Sequence, residues 1–276
     1  MMFRILNLFI LFLSATIIFI GCSSTETFTA HQKTSDIEIN GNLSGWPSSD
    51  ALIHNSDSFD YYVMQDEQNL YVYVDFKSPF YNHSIENSGF IMYISEDEDN
   101  KKRRGLGYPS GAFNLLREDP ASFRDMTRDS DWLNNTQNYR RLESLQEENF
   151  NQVMIVERYE DTNDAQYGFV TFAQIEAEGL ELAAARDRRY YGLEFKIPLD
   201  QSAPFELLPG KKYWIGFAIE PPEFNFRNTG DLNQYSSQYG NRRGVNPRNR
   251  PSSSNQQAQL RRQLGQYEQW FLLELN

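Results

Sequence analysis

The chain has 276 residues, with 26 Lys and Arg against 38 Asp and Glu, so its formal net charge is −12. This length is enough for one large domain with a proper hydrophobic core. The acidic balance argues against a nucleic-acid partner, because neutralising phosphates requires an excess of Lys and Arg. The single cysteine excludes an intramolecular disulfide, and the three scattered histidines favour neither a metal site nor a cofactor.

The first 21 residues have the features of a secretory signal peptide. Arg4 is their only charge, and an apolar run extends from Ile5 to Ile20. This run is shorter than the ~20 residues that cross a bilayer comfortably. It ends in Phe-Ile-Gly-Cys, which resembles the lipobox at which bacterial lipoprotein precursors are lipidated and cleaved, although Phe19 stands where Leu is usual. The alternative is an uncleaved membrane anchor followed by an incidental Cys22.

We therefore expect a mature chain that begins at Cys22 and is held in the membrane by acyl chains. Serines, rather than an aspartate, follow this cysteine. By analogy with other lipoproteins, this favours the cell envelope and the outer membrane of a Gram-negative bacterium. Residues 22–35 are polar and predict a flexible tether. Residues 36–276 are expected to form a single domain.

Short runs of aromatic and β-branched residues dominate the mature chain. Phe59–Met64 and Leu70–Phe76 are separated by turn residues and predict a hairpin. Other runs of this kind predict the strands Phe90–Ser95, Val153–Tyr159, Gly168–Phe172, Leu180–Ala185, Tyr190–Ile197, Tyr213–Ile219 and Trp270–Leu275. About ten short strands without a long amphipathic helix predict an all-β, antiparallel β-sandwich.

Two segments interrupt this pattern. Residues 110–151 predict a partly helical insertion, in which Asp119 supplies an N-cap and Pro120 the first helical position. Residues 225–264 are rich in Arg, Asn, Gln and Ser. Because this composition offers little apolar surface to bury, it predicts a long disordered loop.

Several motifs occur in a recognisable order. Asn40–Trp46 resembles a D-G-x-x-x-x-W opening, and Asp66–Val72 resembles a D-x-x-x-L-Y-[IV] hairpin. They are followed by Gly89–Ile94, Leu193–Leu199 and Ile215–Phe217. The arrangement is similar to that of the family-nine carbohydrate-binding-module-like group within the DOMON-like sandwiches, especially lipoproteins of Bacteroidota-type bacteria. The resemblance implies an immunoglobulin-like or jelly-roll sandwich and suggests sugar binding.

Sugar-binding modules of this type stack the C–H faces of pyranose rings on exposed aromatic side chains. Trp132 is the first candidate for this role, because it lies in a polar loop between the two predicted helices. Tyr108 and Tyr190 are further candidates for the ligand-binding face. The other three tryptophans are interpreted as packed or half-buried: Trp46, Trp214 and Trp270.

No catalytic residue is predicted, because the chain lacks a G-x-S-x-G elbow, a P-loop and a G-x-G-x-x-G motif. Glu96–Asp99 is interpreted as a solvated hairpin tip rather than a calcium site. Met64 and Met92 would be haem ligands only if they were not core residues. Two acidic pairs would be glycosidase candidates only if the fold brought their members close together: Glu157 with Glu160, and Glu194 with Asp200.

These observations favour a non-enzymatic, lipid-anchored cell-envelope protein that binds carbohydrate on one face of its sandwich. Its expected partners are the membrane, through the lipid anchor, and a polysaccharide. The alternative is a scaffold or assembly lipoprotein that binds another envelope protein. A glycoside-active enzyme is a remote alternative.

Overall fold

The computed structural model describes residues 26–47, 49–79, 81–96, 100–158, 165–186, 191–221, 258, 261–262 and 265–276. The predicted signal peptide, Cys22, Tyr190 and most of the predicted disordered loop lie outside the described residues. None of the helices in these ranges has the length and apolar character that crossing a bilayer requires.

The strands are numbered in chain order as follows: β1 Thr27–Thr29, β2 His31–Gln32, β3 Leu52–Asn55, β4 Phe59–Gln65, β5 Asn69–Phe76, β6 Phe90–Ser95, β7 Arg104–Tyr108, β8 Gln152–Arg158, β9 Ala165–Thr171, β10 Glu181–Arg186, β11 Tyr191–Pro198, β12 Lys212–Ile219 and β13 Tyr267–Glu274. The helices are short: α1 Asn82–Ser88, α2 Gly111–Glu118, α3 Pro120–Met126, α4 Thr136–Ser144, α5 Gln146–Asn151 and α6 Phe172–Ala177, with a 3₁₀ turn at Trp132–Asn134.

The strands form two sheets. The seven-stranded sheet has the order β1-β13-β12-β6-β7-β8-β9, and the other has the order β10-β11-β5-β4-β2, with β3 also pairing with β4. Most neighbouring strands are antiparallel, whereas β1 pairs in parallel with β13 and β2 in parallel with β4. The predicted sandwich class is therefore confirmed, with two mixed sheets.

The core lies between the two sheets and is rich in aromatic rings. Phe59, Tyr61 and Phe76 from one sheet are fully buried with Phe90 and Phe217 from the other. Their ring centroids are 4.6–6.0 Å apart, which is within the range of favourable aromatic pairs. Inward-facing apolar residues alternate with outward-facing residues along each strand, so the core also determines which side chains lie outside.

Several sequence predictions agree with the structure. The predicted hairpin is formed by β4 and β5, in antiparallel register from Phe59↔Phe76 to Gln65↔Leu70. The carboxylate of Asp119 accepts a hydrogen bond from the Ser122 backbone N–H at 3.1 Å and caps α3 as expected. The N–H groups of a first helical turn lack partners within the helix, which explains why the Asp-Pro pair is informative.

The predicted tether is wrong over part of its length. Residues 27–32 contain β1 and β2, which pair with one sheet each, and the intervening Ala30 is buried. Backbone pairing to β13 and β4 stabilises this polar stretch in place of a hydrophobic pattern of its own. The following residues, Asp36–Ile39, alternate like a strand but form no strand. Ile37 and Ile39 instead pack on the outer face of the β4–β5 hairpin.

A buried carboxylate holds the segment that covers this outer face. Glu194 of β11 accepts hydrogen bonds from the backbone N–H groups of Asn40 and Gly41 and from Nε1 of Trp46, each at 2.9 Å. Gly41 has φ +76°, and a Cβ there would lie 2.2 Å from the backbone nitrogen of Ala185. Only glycine suits this turn. Two of the motifs that carry the family resemblance therefore meet at one carboxylate.

Burial raises the pKa of Glu194, and the three hydrogen bonds only partly offset this effect. We expect Glu194→Gln to lower the free energy of unfolding by about 1–3 kcal/mol, because an amide NH₂ group must replace one of the accepting oxygens. Urea unfolding followed by tryptophan fluorescence measures this loss. Glu178→Gln, at an exposed position, is the matched control. Equal stability of the two variants would contradict the role given to Glu194.

Candidate functional site

Trp132 has no exposed ring for a ligand. It is 3% exposed and packs in a small second core inside the helical insertion. Its neighbours there include Leu115, Phe123, Met126 and Leu142. The prediction that Trp132 stacks on a ligand is corrected, because the polar loop residues around it conceal an apolar cluster formed by the adjacent helices.

Tyr108 is also buried, at 6% exposed. Its hydroxyl donates to the Phe150 carbonyl at 3.1 Å, and its ring lies edge-on to those of Phe150 and Phe172. The candidate role of Tyr108 in ligand binding is therefore corrected to one in packing. Tyr190, the third candidate, lies outside the described residues and stays a prediction.

The other chemical candidates are occupied by structural roles or lie beyond the described ranges. Glu194 holds the covering segment, while the exposed carboxylate of Asp200 accepts from the Ser202 N–H at 2.8 Å. Glu160 lies outside the described residues. Met64 and Met92 are fully buried among apolar side chains. Across the part of the chain that the structure describes, no group of three or more His, Cys, Asp or Glu could hold a metal ion.

A different pair of tryptophans lies on the outer face of the seven-stranded sheet. Along β12 and β13, Phe217 and Phe271 point into the core, so Trp214, Trp270 and Leu272 point outward. Trp214 is directly opposite Leu272, and Trp270 is opposite Gly216. All three outward side chains are half-buried. We call Trp214, Trp270 and Leu272 the tryptophan strip.

Gly216 allows the Trp270 ring to lie flat on the sheet. A Cβ at Gly216 would be 2.5 Å from the Cε3 atom of Trp270, so the ring fills the space that any side chain would need. The indole Nε1 donates to Glu268 Oε1 at 2.8 Å and fixes the ring's orientation. The ring is also nearly parallel to that of Tyr93, at 24° with centroids 6.3 Å apart.

An ion network borders one end of the strip. The Lys102 ammonium contacts carboxylate oxygens of both Glu220 and Glu268, the latter at 2.8 Å. Glu220 also accepts from the Tyr93 hydroxyl and lies 3.5 Å from an Arg158 nitrogen. Glu220 is largely buried, whereas the Glu268 side chain is 40% exposed. Glu268 is therefore the member of this network most accessible to a ligand.

The charges in this network stabilise one another. Burial raises the pKa of Glu268, but hydrogen bonds from Lys102 and Trp270 outweigh it and leave this pKa below its usual value. Burial lowers the pKa of Lys102, but the two carboxylates outweigh it and raise this pKa. Burial and the neighbouring Glu220 raise the pKa of Tyr93. At neutral pH, Glu268 and Lys102 are ionised and Tyr93 keeps its proton.

A second ion pair borders the other end of the strip. Lys212 is directly opposite Glu274 in the register of β12 and β13, and their charged atoms are 3.6 Å apart. Both side chains are about half exposed. From Glu268 to Glu274 the strand rises about 3.4 Å per residue, so the strip and its two ends extend over roughly 20 Å. The surface is thus an elongated aromatic platform with an acid–base pair at both ends.

The alternation of residues along β12 and β13 indicates this platform, whereas residue type alone does not. Within β12, Trp214 has the opposite parity to Tyr213, Ile215 and Phe217, which form one apolar face. Within β13, Trp270 likewise alternates with Phe271. Parity therefore places both tryptophans on the outer face once the core face is known. The identity of Lys102 as the neighbouring cation could not be predicted, because it comes from a distant hairpin.

The fold and this platform define an all-β sandwich protein with an aromatic outer strip. No protein-family model and no curated protein matches the chain. Two solved structures of a family-nine carbohydrate-binding module from Caldicellulosiruptor kristjanssonii are similar at 11% identity over 72% of this chain. The complex with cellotriose is covered over 78% with a TM-score of 0.32, and the complex with glucose over 80% with a TM-score of 0.33. Similarity at this level carries no argument about the ligand of this chain.

We expect Gly216→Ala to displace the Trp270 ring, because the added methyl group meets it at 2.5 Å. The predicted results are a shifted tryptophan emission spectrum and a stability loss of about 1–3 kcal/mol. Gly168→Ala in β9 is the matched control, since the nearest atoms to its added Cβ are 3.9 Å away. If both variants behave alike in fluorescence and urea unfolding, Gly216 does not set the ring position.

Proposed function

We propose that this protein is a non-enzymatic, lipid-anchored envelope protein that binds carbohydrate on the tryptophan strip. The observation that carries the binding part is the pair of half-buried indole rings on the outer face of the neighbouring strands β12 and β13, with an acid–base pair at each end. Aromatic faces suit the C–H faces of pyranose rings, and charged side chains form strong hydrogen bonds with hydroxyl groups. The family resemblance of the sequence motifs supports the same chemistry.

The carboxylates near the strip also bear on the enzymatic alternative. Because Glu220 and Glu268 contact one ammonium, their nearest oxygens are no more than about 5.5 Å apart, as in retaining glycosidases. Such enzymes need one carboxyl group that keeps its proton until it protonates the leaving group. The pKa of Glu268 is instead lowered, and Lys102 lies between the two carboxylates. This arrangement favours binding over proton transfer.

The scaffold alternative has its own supporting observation. The helical insertion encloses a separate apolar cluster and exposes the ring of Tyr139, at 38%. An element with its own core could bind another envelope protein while the sandwich provides the support. This alternative predicts that changes at Tyr139, and not in the strip, abolish function.

We expect Trp270→Ala and Trp214→Ala each to weaken binding to a retained polysaccharide by about five- to tenfold, which corresponds to the loss of one stacking contact. Affinity electrophoresis of the purified protein through gels containing individual polysaccharides measures this change. Tyr139→Ala removes an exposed ring elsewhere and serves as the matched control. Circular dichroism confirms that each variant is folded. Retention of wild-type binding by both tryptophan variants would contradict the proposed site.

The anchoring part is tested separately. We expect cells that express the full chain to incorporate radiolabelled palmitate into the protein, and Cys22→Ser to abolish this label, because thioether attachment requires the thiol. Sucrose-gradient fractionation should then place the wild type with outer-membrane markers. A protein without label, or equal labelling of the Cys22→Ser variant, would show that the anchor is not a lipid at this position.

A further inference from the structure

The two ends of the tryptophan strip share one feature: each presents an acid beside a base. At one end Glu268 pairs with Lys102, and at the other Glu274 pairs with Lys212. Lys102 also contacts Glu220, which lies 3.5 Å from an Arg158 nitrogen, so the ion pairs given for the described residues at this end join two bases and two acids. Each end therefore presents a paired acid and base, although the whole chain has a net charge of −12.

A balanced pair of this kind matches the chemistry of a hydroxyl group. A hydroxyl donates to a carboxylate and accepts from an ammonium, so it can use both members of the pair at once. An anionic group on the ligand would be attracted to the lysine but repelled by the glutamate beside it. A cationic group on the ligand would be attracted to the glutamate but repelled by the lysine beside it. Like charges brought together at an interface oppose binding.

Glu268 is held in a fixed orientation for such contacts. Its Oε1 accepts from the Trp270 indole at 2.8 Å, and its Oε2 contacts Lys102 at 2.8 Å. Each carboxylate oxygen has a second lone pair, and the side chain is 40% exposed. A hydroxyl of a sugar ring that stacks on Trp270 can therefore donate to Glu268 without displacing either existing partner.

Resting on the proposed function, we infer that the Lys102–Glu268 and Lys212–Glu274 pairs make the strip selective for uncharged, polyhydroxylated chains. Glu268 and Glu274 disfavour saccharides that carry carboxylate or sulfate groups, and the paired lysines disfavour saccharides that carry amino groups. These four residues determine the specificity for uncharged saccharides, whereas the tryptophans stack on the sugar faces whatever charge the saccharide carries.

Three soluble β-1,4-linked polysaccharides that differ in charge test this inference. Hydroxyethyl cellulose is uncharged, carboxymethyl cellulose is anionic and chitosan is cationic at mildly acidic pH. Affinity electrophoresis of the full-length protein in detergent compares them at one ionic strength. We expect the wild type to bind hydroxyethyl cellulose about tenfold more tightly than either charged derivative.

The variant Glu268→Gln keeps an oxygen for Trp270 but removes the negative charge. We expect it to improve binding of carboxymethyl cellulose relative to hydroxyethyl cellulose by about fivefold or more. Glu181→Gln, at the Lys196 pair on the edge of the other sheet, changes the net charge equally and should leave this ratio within about twofold of the wild type. The comparison separates the local effect of Glu268 from the overall acidity of the chain.

Two outcomes would overturn the inference while leaving carbohydrate binding intact. One is wild-type protein that binds the charged derivatives as tightly as the uncharged one. The other is an equal change of the ratio in Glu268→Gln and Glu181→Gln, which would attribute selectivity to net charge. If the wild type binds none of the three derivatives and no other polysaccharide, the proposed function itself fails, and the selectivity inference fails with it.

Discussion

The alternation of side chains along each strand is the constraint on which the rest of the structure depends. Every second residue of a central strand must fill the space between the two sheets, and large aromatic rings such as Phe59, Phe90 and Phe217 do so here. Whatever else those strands carry must then lie on an outer face. A binding surface on this sandwich therefore depends on which parts of each outer face are covered by other segments of the chain.

The two outer faces are covered in different ways. A segment held by the three hydrogen bonds to Glu194 covers the β4–β5 side, where Trp46, Tyr62 and Tyr73 form a closed apolar cluster. On the other sheet, Phe113 of α2 packs against Tyr167 with ring centroids 4.6 Å apart, and the Arg117 guanidinium lies 4.2 Å above the Phe169 ring. These contacts cover β8 and β9, and Trp270 of β13 packs against the edge of the same cluster. Within the described ranges, Trp214, Trp270 and Leu272 are half-buried on the outer face of β12 and β13.

The sequence predicted the fold much better than it predicted the site. Strands and the hairpin turn have local signals, because β-branched and aromatic runs end at turn residues. The short strands β1 and β2 have no such signal, since their pairing partners are more than thirty residues away or at the opposite end of the chain. The burial of Trp132 could not be predicted for a related reason: its polar sequence neighbours reveal nothing about the helices that pack around it. Trp214 and Trp270 are half-buried, as strand membership predicts, but strand membership alone does not show which face of the sheet they lie on.

Electrostatics gives the strip its chemical character. A bare pair of indole rings would bind many flat apolar surfaces, whereas the acid–base pairs at both ends suit the proposed ligand, whose hydroxyl groups both donate and accept hydrogen bonds. Glu268 accepts a hydrogen bond from Trp270 and pairs with Lys102, so it links the stacking ring to the polar groups. The position of the ring and the positions of these polar groups therefore depend on each other. This coupling is the physical reason for expecting carbohydrate rather than an apolar partner.

The most direct measurement uses the fact that the chain has only four tryptophans. The protein is labelled with ¹⁵N at its indole nitrogens, and each indole NMR resonance is assigned by a single Trp→Phe substitution. An oligosaccharide of a polysaccharide that the protein retains is then titrated in. We expect the indole resonances of Trp214 and Trp270 to shift while those of Trp46 and Trp132 stay in place. Shifts at Trp46 or Trp132, with the strip resonances unmoved under saturating ligand, would contradict it.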